Sequence, residues 1–348
     1  MLILPRPTPT WTPLARPAVA GHHRRDAGPA RPVTARVEGE PIAEASPVTA
    51  DRLTEYLGHY QSVFQRADQF ERFGLYLRGL LAPGERKNVE AIAAAAADAA
   101  RGQSDLAQAL QHFISQSPWD AGKLLVAYRK MLAQLPADPE AVWVVHDGVF
   151  PKKGRHSVGV QRQFARAAGR KLNCQMAVVV SRGGPGGYYP LAARLYLPAY
   201  WLQEHQELAE KMIPEDYRQP AAKFEIALKL IDELRAEAGA ALAIVAEEGY
   251  ATLPGFVDGL TARQLTAWPT NAPLVAEAHR KFDDLRLALG LDHFEGRSWL
   301  GWHHHVSLEH FQFPSCAPSG GGVSSSDPRW SARRCRLIPS NTATASSL

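Results

Sequence analysis

The feature that most constrains the fold is the run AVWVVHDGVF, Ala141 to Phe150, where β-branched and aromatic residues follow one another almost without a polar break. It lacks both the alternation of a half-exposed strand and the 3.6-residue stripe of a surface helix. It is therefore expected as a strand covered on both faces. CQMAVVVSR and ALAIVAEEG share this texture, and LAARLYLP reads as a shorter strand. SVGVQRQF is expected to return as a strand after the turn PKKGRHS, with AAGRKLN as a connection and SRGGPGGYYP as a glycine-rich loop. KFEIALKLIDELRAEAG is a long helix burying Phe224, Ile226, Ala227, Leu230, Ile231 and Leu234. A meander of strands, then a helix, then a strand parallel to one of them predicts a mixed α/β sheet with flanking helices.

Residues 49–138 have a different texture and are expected as a small all-helical domain. Leu53, Leu57, Tyr60 and Phe64 form one helical stripe in a stretch that runs to the break at Pro83-Gly84. NVEAIAAAAADAA follows, then DLAQALQHFISQ with Ser104 as its cap, then WDAGKLLVAYRKMLAQL, which makes four helices. Residues 1–48, rich in Arg and Pro, and residues 314–348, polar and low in complexity, are expected to be disordered. Beyond Tyr250 the sequence predicts a helix over ATLPGFVDGLTARQL, an amphipathic helix LVAEAHRKFDDLRLALG ended by Gly290, and a last helix, WLGWHHHVSLEHFQF.

Composition narrows the class. With 348 residues and 45% hydrophobic content, the chain can bury a large core. No apolar run approaches the roughly 20 residues of a membrane-spanning helix, so no membrane partner is expected. Cys174, Cys316 and Cys335 are too few and too scattered for a disulfide scaffold or a cysteine zinc site. A reducing, cytoplasmic setting fits. The net charge of +4 permits a polyanionic partner without demanding one.

Asp147 sits inside an apolar strand, where a bare carboxylate costs several kcal/mol. Its alternative role is to cap the turn that follows. Glu247 and Glu248 end a second buried strand and are otherwise ordinary loop acids. Two acids at core strands suit hard cations, Mg²⁺ or Mn²⁺, bound through oxygen. Lys152, Lys153 and Arg155 follow Asp147 on a turn, and Arg162, Arg166, Arg170 and Lys171 continue the charge. They are either a solvated turn or a phosphate-backbone contact. Arg78, Arg86 and Lys87 form a second basic cluster on the helical segment. SRGGPGG lacks the Lys-Ser/Thr of a phosphate-binding P-loop and reads as a hairpin. His303, His304 and His305 point about 100° apart on a helix and cannot all bind one metal. Packing through Trp302 and one histidine is expected instead.

VHDGVFPKKGRHSVGVQRQF, NCQMAVVVS, LAARLYLP and GLDHFEGRSWLGWHHH, with FGLYLRGLLAPGERKNVEAIA and LQHFISQSPWD upstream, resemble bacterial insertion-sequence transposases of the DDE superfamily endonuclease group. The resemblance spans about residues 52–312. It implies an RNase H-like catalytic domain over residues 139–313. It further implies three acids holding two Mg²⁺ (or Mn²⁺) ions, with double-stranded DNA, element ends and target, as substrate. An oligomer assembled on DNA is compatible with it. By the same resemblance Asp147 takes the place of the first acid. His146 and Gly148 depart from the DDTGFPKKG-like pattern, and Glu247 stands in place of the second Asp. The third acid falls on His279. Glu277 lies two positions away, and Asp283, one turn on, is the expected substitute. Only about 30 residues separate Glu247 from His279, shorter than the family segment, so the domain is expected to be shortened between about 251 and 273 and to lack a strand. These departures predict an impaired transposase. The alternative is a DNA-binding remnant without catalysis. An unrelated metal-dependent hydrolase is disfavoured by the order of the motifs.

Overall fold

The computed structural model describes residues 47–100, 104–238, 243–265 and 272–310. The tails expected to be disordered lie outside the described residues, apart from Pro47 and Val48, which begin the first helix. Helices α1 (Pro47–Gly58), α2 (Ala67–Leu81), α3 (Val89–Ala96), α4 (Leu106–Ser115) and α5 (Ala121–Leu132) come first. The expected stripe from Leu53 to Phe64 is not one helix. The chain leaves α1 at Gly58, makes a 3₁₀ turn over Gln61–Val63 and turns extended at Phe64. That break lets Phe64 pack against Phe73 and Trp119, with ring centroids 4.9 and 5.8 Å away. Aromatic burial outweighs the helical continuity that the spacing suggests. The cap of α4 is Asp105, one residue after the expected Ser104; its carboxylate accepts from the Gln108 amide.

The sheet contains β1 (Val142–Pro151), β2 (Gln161–Ala165), β3 (Arg170–Gly184), β4 (Gly187–Tyr196) and β5 (Ile244–Ala246). β3 is central. It pairs antiparallel with β1 along one edge and with β2 and then β4 along the other, while β5 lies parallel to β1. The order β4-β3-β1-β5 is that of an RNase H-like mixed sheet. Two expectations are corrected here. SVGVQRQF does not return beside β1; only Gln161–Ala165 forms a strand, and it pairs with β3. AAGRKLN and SRGGPGGYYP are largely strand, because β3 runs for 15 residues and turns into β4 through Pro185 and Gly186 alone. Among the described residues no strand follows β5.

The connection from β4 to β5 carries α6 (Ala199–Glu204), α7 (Gln206–Met212) and α8 (Lys223–Ala238). After β5 come α9 (Glu248–Ala251) and α10 (Pro254–Ala262), where one helix is expected from the sequence, then α11 (Ala272–Leu289) and α12 (Trp299–Glu309). Gly290 ends α11 at φ +65°, the left-handed geometry that favours glycine. α8 packs on β3 and β4, and α11 packs on β1. A Cβ on Gly148 would lie 2.9 Å from the Phe282 ring of α11, so this departure from the family pattern makes room for that helix.

The histidine run is structural at all three positions rather than one; His303 Nδ1 donates to the Trp299 carbonyl at 2.9 Å and its ring packs on Trp299. His304, fully buried, has ring nitrogens 3.0 and 2.9 Å from the Ile114 and Trp119 carbonyls and stacks on Trp119. His305 bonds the Tyr76 hydroxyl through Nδ1 at 2.8 Å and stacks on Phe294. Trp302 meets Phe150 edge-on, which joins α12 to β1. Among the described residues no helix is long and apolar enough to cross a membrane.

Candidate functional site

β5 is only three residues long. It lies beside β1 with Val145 opposite Ala246, and the Glu247 amide continues the ladder to the Val145 carbonyl at 2.8 Å. This pairing brings Glu247 beside Asp147. One Glu247 oxygen, Oε2, accepts from the Asp147 backbone amide at 3.1 Å and lies 3.5 Å from His279 Nε2 on α11. The other, Oε1, faces Arg166 Nε at 4.0 Å. Burial works to raise the pKa of Glu247, but the bonds from His279 and the Asp147 amide outweigh it and hold the carboxyl below its ordinary range.

Side chains alternate across a strand, and here the alternation decides which groups meet. Asp147 turns to α8 and α9. Its Oδ2 accepts from Lys223 Nζ at 2.5 Å and its Oδ1 from the Tyr250 hydroxyl at 2.6 Å. The charge is thus compensated by an ammonium from α8 and a buried phenol from α9. Burial, then the neighbouring Asp147 charge, pushes the pKa of Tyr250 well up, so it remains a donor. His146 turns to α11 instead. Its ring centroid is 4.9 Å from His279 and 5.5 Å from Phe282. Its Nδ1 donates to the Asp147 carbonyl at 3.2 Å, and its Nε2 accepts from Tyr188 at 2.8 Å. Burial, reinforced by His279, pushes His146 down to about 3, so the ring is neutral. The side chains that converge where β1, β5 and α11 meet are therefore His146, Glu247 and His279. The Asp147 carboxylate itself is bonded to Lys223 and Tyr250.

The remaining candidate residues divide between surface and interior. Asp283, also on α11, pairs with Arg286 at 3.1 Å. Glu277 pairs with Arg280. Lys87 is buried, with Nζ on the Ala82 carbonyl and its backbone amide on His293 Nδ1, and burial lowers its pKa. Lys152, half-buried, donates to the Phe294 carbonyl at 2.8 Å. Both lysine side chains thus bond backbone carbonyls within the fold. Arg78 bonds Thr54 and Arg86 meets Glu295, both at the surface, while Lys153 and Arg155 are exposed. Lys223, Tyr250 and the pairing of His146 with His279 were not singled out from the sequence. A lone lysine opening a helix carries no signal of a partner 76 positions away.

The strand order, the parallel β5 and the polar junction beyond its end define an RNase H-like α/β protein. The chain belongs to the DDE superfamily endonucleases, whose family pattern matches residues 59–288. It is 28% identical over 155 residues to the probable transposase for insertion sequence element IS701 of Microchaete diplosiphon. That match covers 44% of this chain and 39% of the relative, so the chain spans well under half of that protein's length. No solved structure matches.

Endonucleases of this superfamily generally use divalent metals. Two such ions need several anionic oxygens around one point. The junction offers one carboxylate and two imidazoles, and both Asp147 oxygens are already bonded to Lys223 and Tyr250. Among the described residues no three His, Cys, Asp or Glu side chains are gathered closely enough to hold a metal ion. The donor set does not fit a pair of magnesium ions.

Proposed function

We propose that this chain is a transposase-derived DNA-binding protein whose metal-dependent strand cleavage and transfer are absent or severely impaired. The observation that carries this reading is the convergence of His146, Glu247 and His279, which leaves one carboxylate where the chemistry calls for three. Imidazole is a poor ligand for Mg²⁺, and Glu247 Oε2 already accepts from the Asp147 amide and lies 3.5 Å from His279 Nε2. In this reading Glu247 is the remaining acid of the centre. Asp147 is a positioning residue that locks β1 to α8 and α9, and Asp283 supplies no ligand. Double-stranded DNA is the partner. It is held by cations including the half-buried Arg78 and the exposed Arg86, Lys153 and Arg155, with the helical segment 49–138 contributing. A cytoplasmic protein meeting the nucleoid through DNA fits this role.

The test restores the acids. The full chain and a His146→Asp/His279→Glu variant are titrated with Mn²⁺ by calorimetry and assayed for cleavage of element-end DNA in Mg²⁺ and in Mn²⁺. The variant is expected to bind Mn²⁺ at least tenfold more tightly than the parent. Efficient cutting by the parent in Mg²⁺ would refute the proposal. Unchanged Mn²⁺ affinity in a folded variant would refute the assignment of positions 146 and 279. If Mn²⁺ binds and DNA stays intact, the shortened segment after Glu247 is a second lesion. Asp147→Asn in the restored background separates the roles at that position: a positioning residue leaves Mn²⁺ binding within about threefold, whereas a ligand abolishes it.

A further inference from the structure

From Pro151 to Asn173 the chain carries seven lysines and arginines and not one aspartate or glutamate. Much of this segment is the arm formed by β2 and the first residues of β3, joined through a 3₁₀ turn at Arg166–Ala168. Arg162, Phe164, Arg166, Arg170 and Lys171 are all exposed. Phe164 is 54% exposed, unusual for a phenylalanine in a paired strand. The register puts Phe164 directly opposite Lys171, and Arg162 is two residues away on the same strand face. One face of the arm therefore presents Phe164 with one cation beside it along β2 and a second across from it on β3. The arm tip returns to the junction of β1, β5 and α11, where Arg166 lies 4.0 Å from Glu247 and 3.7 Å from Glu248.

We infer that the β2–β3 arm is a platform for unpaired DNA, with a base stacked on Phe164 and the flanking phosphates held by Arg162 and Lys171. An acid-free run of cations selects a polyanion. Cations alone would serve duplex and single strand alike. An exposed aromatic between them adds a face on which only an unstacked base can lie, the combination that marks single-strand binding surfaces. The inference rests on the reading of this chain as a DNA-binding protein and supplies the form of DNA that it takes beside the junction.

The experiment uses the full chain in EDTA, which removes any contribution of metal or cleavage. Fluorescence anisotropy measures its affinity for a labelled 20-nucleotide single strand and for the matching duplex over a salt series. A second probe carries 2-aminopurine, whose fluorescence is quenched by stacking. Phe164→Ala is expected to weaken single-strand binding by about 5- to 100-fold, to leave duplex affinity within about twofold and to relieve the quenching. Phe164→Trp should restore both. Arg162→Ala and Lys171→Ala should each reduce the salt slope on the single strand by about 0.7. Equal loss on both DNAs, or no loss on either, overturns the inference. So does a dimer of the parent chain in size-exclusion chromatography that Phe164→Ala dissolves, because the face would then cover a second copy. If no DNA binds at all, the functional proposal itself fails; if the parent chain cuts DNA, only the impairment claim falls and the arm stands.

Discussion

Replacing Lys223 by methionine isolates what holds Asp147 inside the sheet. The ammonium lies 2.5 Å from Asp147 Oδ2, and the acid's side chain is only 5% exposed. At an effective dielectric of about 20, that separation corresponds to about 7 kcal/mol of gross attraction. Desolvation of the carboxylate cancels part of it. Lys223 keeps 31% of its side-chain exposure, so water stands in for some of the rest. Removing one partner of a fully buried pair costs about 3–5 kcal/mol; allowing for the exposed lysine, Lys223→Met should cost about 2–3 kcal/mol. Asp147→Asn should destabilise by a similar amount. The double variant should recover part of the sum, giving a coupling of about 1.5–2.5 kcal/mol. Urea unfolding at pH 7 followed by tryptophan fluorescence measures all four proteins, with unchanged m-values as the control for a common transition. A coupling under about 0.5 kcal/mol would refute the pair as a structural lock. A stabilising Asp147→Asn would be more damaging. Neutralisation stabilises an acid strained by like charges, as in an empty metal centre, and not one already bonded to a lysine and a tyrosine.

Other outcomes follow from the same contacts. Tyr250→Phe removes a hydroxyl bonded to an ionised acid while keeping the ring, and should cost about 1.5–3 kcal/mol by the same urea assay. His146 and His305 are pushed down to about 3 and His310 to about 4 by burial, whereas an unfolded histidine binds its proton near 6.5. Between those values the unfolded chain holds more protons, so stability is complete above about 6.5 and is lost as pH falls towards 3–4, at up to about 4 kcal/mol per pH unit for the three together. Flat stability between pH 7 and 5 would contradict this. The neutral His304 ring carries one N–H and donates to one of the Ile114 and Trp119 carbonyls, so His304→Leu leaves that carbonyl unpaired and should lower stability by about 1–3 kcal/mol, read as an earlier thermal midpoint. Gly79→Ala drives a methyl into the Ile92 carbonyl where α2 crosses α3, so it should cost about 1–3 kcal/mol or leave insoluble protein on expression.

The strands were legible because both faces of β1 and β3 are covered, and a run such as AVWVVHDGVF has few alternatives. The pairing was less legible. β2 was expected beside β1, but the long β3 occupies that edge, and strand partners depend on contacts far apart in sequence. At the site, the sequence identifies a buried acid at Asp147 and a second at Glu247. It does not say which face of β1 receives α11. That face decides whether position 146 or 147 meets position 279, and the rings of Phe282 and His279 on His146 answer it. The basic residues illustrate the same limit: Lys87 and Lys152 look like their neighbours Arg86 and Lys153 in sequence, and only packing separates interior fasteners from surface charge.

Two of the three ladders of β3 meet at one residue. Cys174 pairs with Pro151 on one edge and Gln161 on the other, so the arm and the strand facing Asp147 are one continuous backbone. This has a consequence for how such a chain can vary over evolutionary time. An insertion or deletion between Arg170 and Asn173 alters the arm without moving the register of Val178 against Asp147. Changing the arm by one residue would turn Phe164 and Lys171 to opposite faces, while a matched change of two residues on each strand preserves both. The same change between Cys174 and Val178 would turn the β3 side chains beside His146 and Asp147 to the opposite face and disrupt the packing of the central strand. Arm length is therefore free to drift in even steps, and the span from Cys174 to Val178 is not.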